Sequence, residues 1–140
     1  MSNAPSIEGF LGEWILDPSS CRYEQGEPPK SGRYVISRLG DDLAFRMEWI
    51  DADGAAHEQS FVSRPDGRPE VFNGGDLADA LTTTTPAEGV LETRASYRGQ
   101  DRMTALRTLS VDGMSMEVIQ TVTLPDLSEV SNRAVYGRAQ

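Results

Sequence analysis

Few side chains in this sequence are placed where they could do more than pack, and Arg107 is the first. It sits in the alternating series Met103, Ala105, Arg107, Leu109, an otherwise apolar face. If that face points inward, the guanidinium is buried, and an unpaired buried charge costs several kcal/mol. Its partner would be an internal carboxylate or the anionic end of a ligand. The alternate face, Arg102, Thr104, Leu106, Thr108, would then face water, and a bulge would exchange the two. His57 is the only histidine, so one protomer cannot build a multi-histidine metal site. It follows the Asp53-Gly54 turn, which predicts surface exposure; as a general base it would need a carboxylate or hydroxyl to orient it. Cys21 is the only cysteine, next to Arg22 with no histidine nearby, so neither a disulfide nor an activated thiolate is expected. Asp51, Asp53 and Gly54 lack the length and terminal glutamate of a calcium loop and read as a turn. No phosphate-binding loop, dinucleotide fingerprint, H-E-x-x-H or G-x-S-x-G occurs. No catalytic residue, metal or cofactor is therefore expected.

The elements that must position these groups are strands. Turn signals recur at Gly40-Asp41, Asp53-Gly54, Asp66-Gly67, Asn73-Gly74, Glu88-Gly89, Arg98-Gly99, Asp112-Gly113 and Pro125-Asp126, mostly about 10 to 14 residues apart, the rhythm of successive hairpins. Between them the pattern has period two. Residues 43–51 put Leu43, Phe45, Met47 and Trp49 on one face; residues 114–124 put Met114, Met116, Val118, Gln120 and Val122 together. Residues 34–36, 80–85, 90–97, 103–109 and 130–138 read similarly. The opening run 10–17, FLGEWILD, would direct Phe10, Gly12, Trp14 and Leu16 inward, the glycine letting an indole lie against the backbone where a barrel closes. Residues 18–31, with three prolines, read as an irregular connection, and residues 76–81 as one turn of helix at most.

Eight to ten antiparallel strands joined by tight turns would leave two bare edges unless the sheet closes, so an up-and-down β-barrel is the expected architecture. At this strand number the inward side chains leave a pocket unless many are large. Phe45, Met47, Trp49, Arg107, Met116 and Tyr136 are the expected ligand-binding residues, the aromatics and methionines giving non-directional burial and Arg107 or Tyr136 orienting a polar end.

The chain length, 140 residues, suits one domain, placed at 8–140 after a disordered tail at 1–7. A net charge of −9 repels phosphate backbones and anionic headgroups, so neither nucleic acid nor membrane insertion is expected. No apolar run approaches the length of a membrane span and no leader opens the chain, which makes the cytoplasm the expected location.

Gly12-Glu13-Trp14 resembles the G-x-W of the lipocalin and fatty-acid-binding-protein (calycin) superfamily. The order of the remaining elements is similar too, and the run RTLSVDGMSMEV followed by SNRAVYGR has the texture of the last strands of fatty-acid-binding proteins. The resemblance implies a barrel that holds a small apolar or amphipathic molecule, a lipid-binding module. It further implies that Gly12 and Trp14 close the barrel, with Arg133 or Arg138 laid across the indole as lipocalins do. Two features depart from the pattern. Residues 18–31 are too short and proline-rich for the helix-turn-helix lid of the fatty-acid-binding branch. That branch's last-strand Arg-x-Tyr grip is also absent, because Arg133 and Tyr136 are three apart and face opposite ways. The leading expectation is non-enzymatic binding of a small ligand. The alternatives are an isomerase or hydrolase of a small hydrophobic acid with His57 inside the cavity, and a filled barrel whose outer face pairs two copies as a homodimer.

Overall fold

Alternating sequence becomes alternating structure throughout. The computed structural model describes residues 7–73 and 78–139. Ten strands follow one another: β1 (Gly12–Tyr23), β2 (Ser31–Leu39), β3 (Asp42–Ile50), β4 (Ala56–Ser63), β5 (Glu70–Val71), β6 (Ala80–Ala87), β7 (Val90–Tyr97), β8 (Gln100–Leu109), β9 (Ser115–Thr123) and β10 (Glu129–Arg138). A 3-10 turn, Glu8–Phe10, precedes them. All form one antiparallel sheet in the order β4-β3-β2-β1-β10-β9-β8-β7-β6-β5. The first and last strands pair at its centre, Trp14 opposite Arg138 and Leu16 opposite Tyr136. The sheet curls until β4 comes against β6, so the barrel is nearly closed, with a seam between the edges.

The register fixes which side chains enter the barrel. Phe45 stands between Ile36 and Phe61, and Arg107 between Leu91 and Val118, all on the inner face. Because every neighbour is antiparallel, the odd-numbered strands all run toward one end. The connections 24–30, 51–55, 98–99 and 124–128 therefore gather at that end, called the mouth here. The opposite end is filled by Phe10, Trp14, Ile36, Leu43, Phe45, Leu91 and Met116, with Ile7 and Leu109 packed against them.

Three expectations at the chain's start and end change. The opening strand begins at Gly12; Phe10 belongs to the 3-10 turn, yet stays buried because its carbonyl accepts the Trp14 Nε1–H at 2.9 Å. Residues 18–23, expected to be irregular, extend β1 through a shift of register between Asp17 and Arg22. The Asp17 carboxylate makes that bulge regular by accepting the Ser19 N–H and hydroxyl at 3.1 and 2.6 Å. Arg133 is the third: its neighbours Ala134, Tyr136 and Arg138 alternate, so Arg133 points outward and pairs with Glu117, and Arg138 alone covers the indole. Of the residues 76–81, Ala80 and Leu81 lie in β6; Asp76 and Leu77 fall outside the described residues, as do Gly74 and residues 1–6.

Gly12 has a different reason from the one its neighbour suggests. Its φ of +127° is a conformation that side chains resist, and a Cβ there would meet the Arg138 Nη1 at 3.0 Å. The close approach is made by the guanidinium, not the indole. Arg138 lies 4.2 Å from the Trp14 ring and donates to the carbonyls of Leu11, Gly9 and Gly113 at 2.9, 2.6 and 3.1 Å. One side chain so ties the 3-10 turn, β1 and the β8–β9 connection together.

Candidate functional site

A cavity of about 320 Å³ opens at the mouth. Tyr34, Met47, Trp49, Ala105, Val118 and Tyr136 form its walls, and Tyr23, Glu27, Pro29, Arg33, Glu48, Asp51, Gln59, Gln120 and Asn132 surround it toward solvent. The walls come from β2, β3, β8, β9 and β10, whose inward positions bring small Ala105 opposite Gln120 and leave the space unfilled. The barrel is not a filled one.

Arg107 lies just below this floor. It is only 1% exposed, and no carboxylate among the described residues is within ion-pair distance of it. Its partners are neutral. Nε donates to the Tyr34 hydroxyl at 2.8 Å, and Nη1 donates to the Thr93 hydroxyl at 3.1 Å and to the Leu91 carbonyl at 3.5 Å. The guanidinium carbon sits 4.6 Å from the Phe45 ring centre, which faces Phe61 in a stack of 4.6 Å. Hydroxyls and aromatic faces solvate the cation without neutralising it.

Tyr34 meets Tyr136 edge to face at 5.6 Å. Since Tyr34 accepts the Arg107 Nε–H, its own proton is free for an acceptor in the cavity. Burial, with Tyr34 close by as the next cause, raises the Tyr136 phenol well above its ordinary value, so its hydroxyl stays a protonated donor. The floor thus offers donors with a positive charge behind them.

The residues expected to bind ligand divide. Met47, Trp49 and Tyr136 line the cavity. Phe45 and Met116 point inward but are buried in the closed end, below Arg107. Tyr34 was not among them. Its strand alternates less cleanly than β3, and nothing in the sequence joins it to a residue 73 positions away. Gln59, Gln120 and Asn132, polar residues at inward positions near the mouth, are legible by parity once the strands are in register.

His57 stands at the mouth, not inside the cavity. It stacks on Trp49 at 5.3 Å, its Nε2 is 2.7 Å from Asp51, and its side chain is 45% exposed. The hydrogen bond from His57, with those from the Ala55 and Asp53 backbone, lowers the Asp51 carboxyl below its usual range. Cys21 is buried beside Leu16 and Ala134; burial, then the Asp17 carboxylate, pushes its thiol up, away from a nucleophile's range. Among the described residues no cluster of three or more histidine, cysteine or acidic side chains could hold a metal.

Comparison with known proteins finds the architecture elsewhere. No family model matches the chain, and no curated sequence matches it. Solved structures do. One is a Schistosoma mansoni fatty acid binding protein in complex with arachidonic acid, with a TM-score of 0.64 at 14% identity over 96% of this chain and 99% of that one. Another is the zebrafish ileal bile acid-binding protein complexed with cholic acid, with a TM-score of 0.54 at 14% identity over 94% and 100%. This chain has the fatty-acid-binding-protein fold. The connection 24–30 between β1 and β2 contains no helix, and its Glu27 and Pro29 stand at the cavity's rim.

Proposed function

We propose that this barrel binds a small amphipathic molecule whose acidic or hydrogen-bond-accepting end rests on the Tyr34 and Tyr136 hydroxyls and whose apolar body lies along Met47, Trp49 and Val118. The observation that carries the reading is Arg107: a buried cation without a carboxylate, one hydrogen bond behind the cavity floor. A protein that gained nothing from that charge would be as stable with an apolar side chain there. The cavity volume, about 320 Å³, is at the low end for ligand pockets, which favours a short or compact amphiphile over a long extended chain. The arachidonic acid and cholic acid held by the two proteins of like fold are both amphipathic molecules with one carboxylate, and support the same class. A soluble carrier or sensor of such a molecule needs no catalytic group, and the function proposed is binding without chemistry.

Titration with a compact fluorescent carboxylic acid tests this. Energy transfer from tryptophan should rise to saturation at one probe per chain and fall sharply in Trp49→Phe, with the remainder coming from Trp14. Arg107→Met should weaken the acid by tenfold or more and leave an uncharged ester of the same probe nearly unaffected, since only the carboxylate loses the attraction of the charge behind Tyr34, and tenfold corresponds to about 1.4 kcal/mol. A folded protein that takes up neither probe overturns the reading.

A further inference from the structure

The sheet's two edges, β4 and β5, do not pair with each other, and β5 is only two residues long. β4 instead approaches β6 across the seam, where no backbone ladder joins them. What bridges them is a pair of buried hydroxyls: Ser63 Oγ lies 2.7 Å from Thr83 Oγ1. Thr83 Oγ1 is in turn 3.1 Å from Thr93 Oγ1, and Thr93 accepts from Arg107. The chain of contacts runs Ser63, Thr83, Thr93, Arg107, Tyr34 and touches β4, β6, β7, β8 and β2 in turn. Ser63, Thr83 and Thr93 are all buried, on inward positions where an apolar residue would fill the space without needing a partner.

The guanidinium gives the chain a direction. Arginine only donates, so Thr93 accepts from it. The cation favours each hydroxyl turning its oxygen toward the charge and its proton away, from Thr93 to Thr83 and from Thr83 to Ser63. Bonds aligned in this way strengthen one another. On the other side the same cation commits the Tyr34 proton to the cavity.

We infer that Ser63, Thr83 and Thr93 are positioning residues: they latch the seam between β4 and β6 to the Arg107 guanidinium, so that the seam and the cavity floor hold or loosen together. Closing the seam fixes Arg107 for an anionic ligand end. Reciprocally, a ligand held at the floor keeps the seam closed, because coupling between two sites acts equally in both directions. This second half rests on the binding reading above; the first half, the latch itself, does not.

Thr83→Val removes the central hydroxyl while keeping its shape, and Ser63→Ala removes only the terminal one. Hydrogen exchange in the free protein reads the latch. Backbone amides of residues 60–63 and 81–84 should exchange faster in both variants, and faster in Thr83→Val. The ratio of affinities for a compact carboxylic acid probe and its uncharged ester reads the coupling. It should fall by about tenfold in Thr83→Val, the loss of one well-placed hydrogen bond, and by less in Ser63→Ala. In the unmodified protein the acid should slow exchange at the seam and the ester should not. Folded variants with unchanged seam exchange overturn the latch. Faster seam exchange with an unchanged affinity ratio overturns the positioning role and leaves an ordinary cluster of satisfied hydroxyls. If the unmodified protein binds neither probe, the ligand reading fails while the exchange measurement still decides the latch.

Discussion

The two ends of the barrel use the same inward positions for opposite purposes. At the closed end the inward residues are Phe10, Trp14, Leu43 and Met116, with almost no exposed surface, and the guanidinium laid on them, Arg138, spends its hydrogen bonds on backbone carbonyls. At the mouth the inward residues are Trp49 and Asn132, half-buried, and Gln59 and Gln120, exposed, around open space. The strands crossing from one end to the other are continuous, so the difference lies in side chains alone. Packing at one end pins the strand register, and a register so pinned lets the other end stay hollow. The comparison teaches a division of labour: stability should respond to the closed end and binding to the mouth, with Arg107 at the boundary.

The sharpest way to break that division is Trp14→Ala. Deleting a fully buried indole, with its hydrogen bond to the Phe10 carbonyl, should lower unfolding free energy by about 3–5 kcal/mol. Urea denaturation followed by far-ultraviolet circular dichroism measures it. A loss below about 1 kcal/mol would mean the plug does not pin the barrel. Gly12→Ala comes next. At a φ of +127°, and against the Arg138 guanidinium, it should cost about 1–3 kcal/mol by the same measurement. Arg138→Ala in the same background should recover little, because the backbone strain remains.

How far this division could be read from the sequence follows from what parity can carry. Alternation placed Leu43, Phe45, Met47 and Trp49 on one face, and it put Met103, Ala105, Arg107 and Leu109 on another; both face inward in the structure. The turns were marked by glycines that take positive φ, among them Gly54, Gly89, Gly99 and Gly113. Parity gives the face but not the depth along a strand. Phe45 therefore belongs to the plug and Met47 to the cavity, and Met116 to the plug and Val118 to the cavity, although each pair shares a face. The seam was invisible for a related reason. Ser63, Thr83 and Thr93 are residues equally at home on a wet strand, and only the curl of the sheet brings β4 against β6. Arg107 was legible as a buried charge; its neutral hydrogen-bond partners, drawn from β2 and β7, were not.

Tyr136 gives a smaller effect that depends on pH. Its phenol is raised by burial above the ordinary tyrosine value near 10. As pH rises past 10 the unfolded chain releases this proton while the folded chain keeps it. The unfolded state then binds fewer protons, and stability falls with pH. Tyr136→Phe should flatten that fall and should retain ligand affinity only for probes that do not accept a hydrogen bond. A spectrophotometric tyrosine titration of folded protein should show at least one phenol ionising late, and the variant should lack it. Simultaneous ionisation of all tyrosines in the folded state would place this hydroxyl in water and remove a donor from the cavity floor.

The mouth should yield the smallest change in stability of all. His57 and Asp51 form an exposed pair, and His57 covers one face of Trp49 without closing over the cavity. Exposed pairs contribute little, so His57→Ala should shift unfolding free energy by no more than about 0.5 kcal/mol. It should nevertheless change the Trp49 emission, since a stacked ring has been replaced by water. Trp49→Ala goes one step further: stability should stay within about 1 kcal/mol, while affinity for a compact amphiphile drops by tenfold, because the ring's apolar area, at about 25 cal/mol per Å², serves the ligand and not the fold. If instead Trp49→Ala unfolds the protein and Trp14→Ala does not, the plug and the pocket have been assigned to the wrong ends.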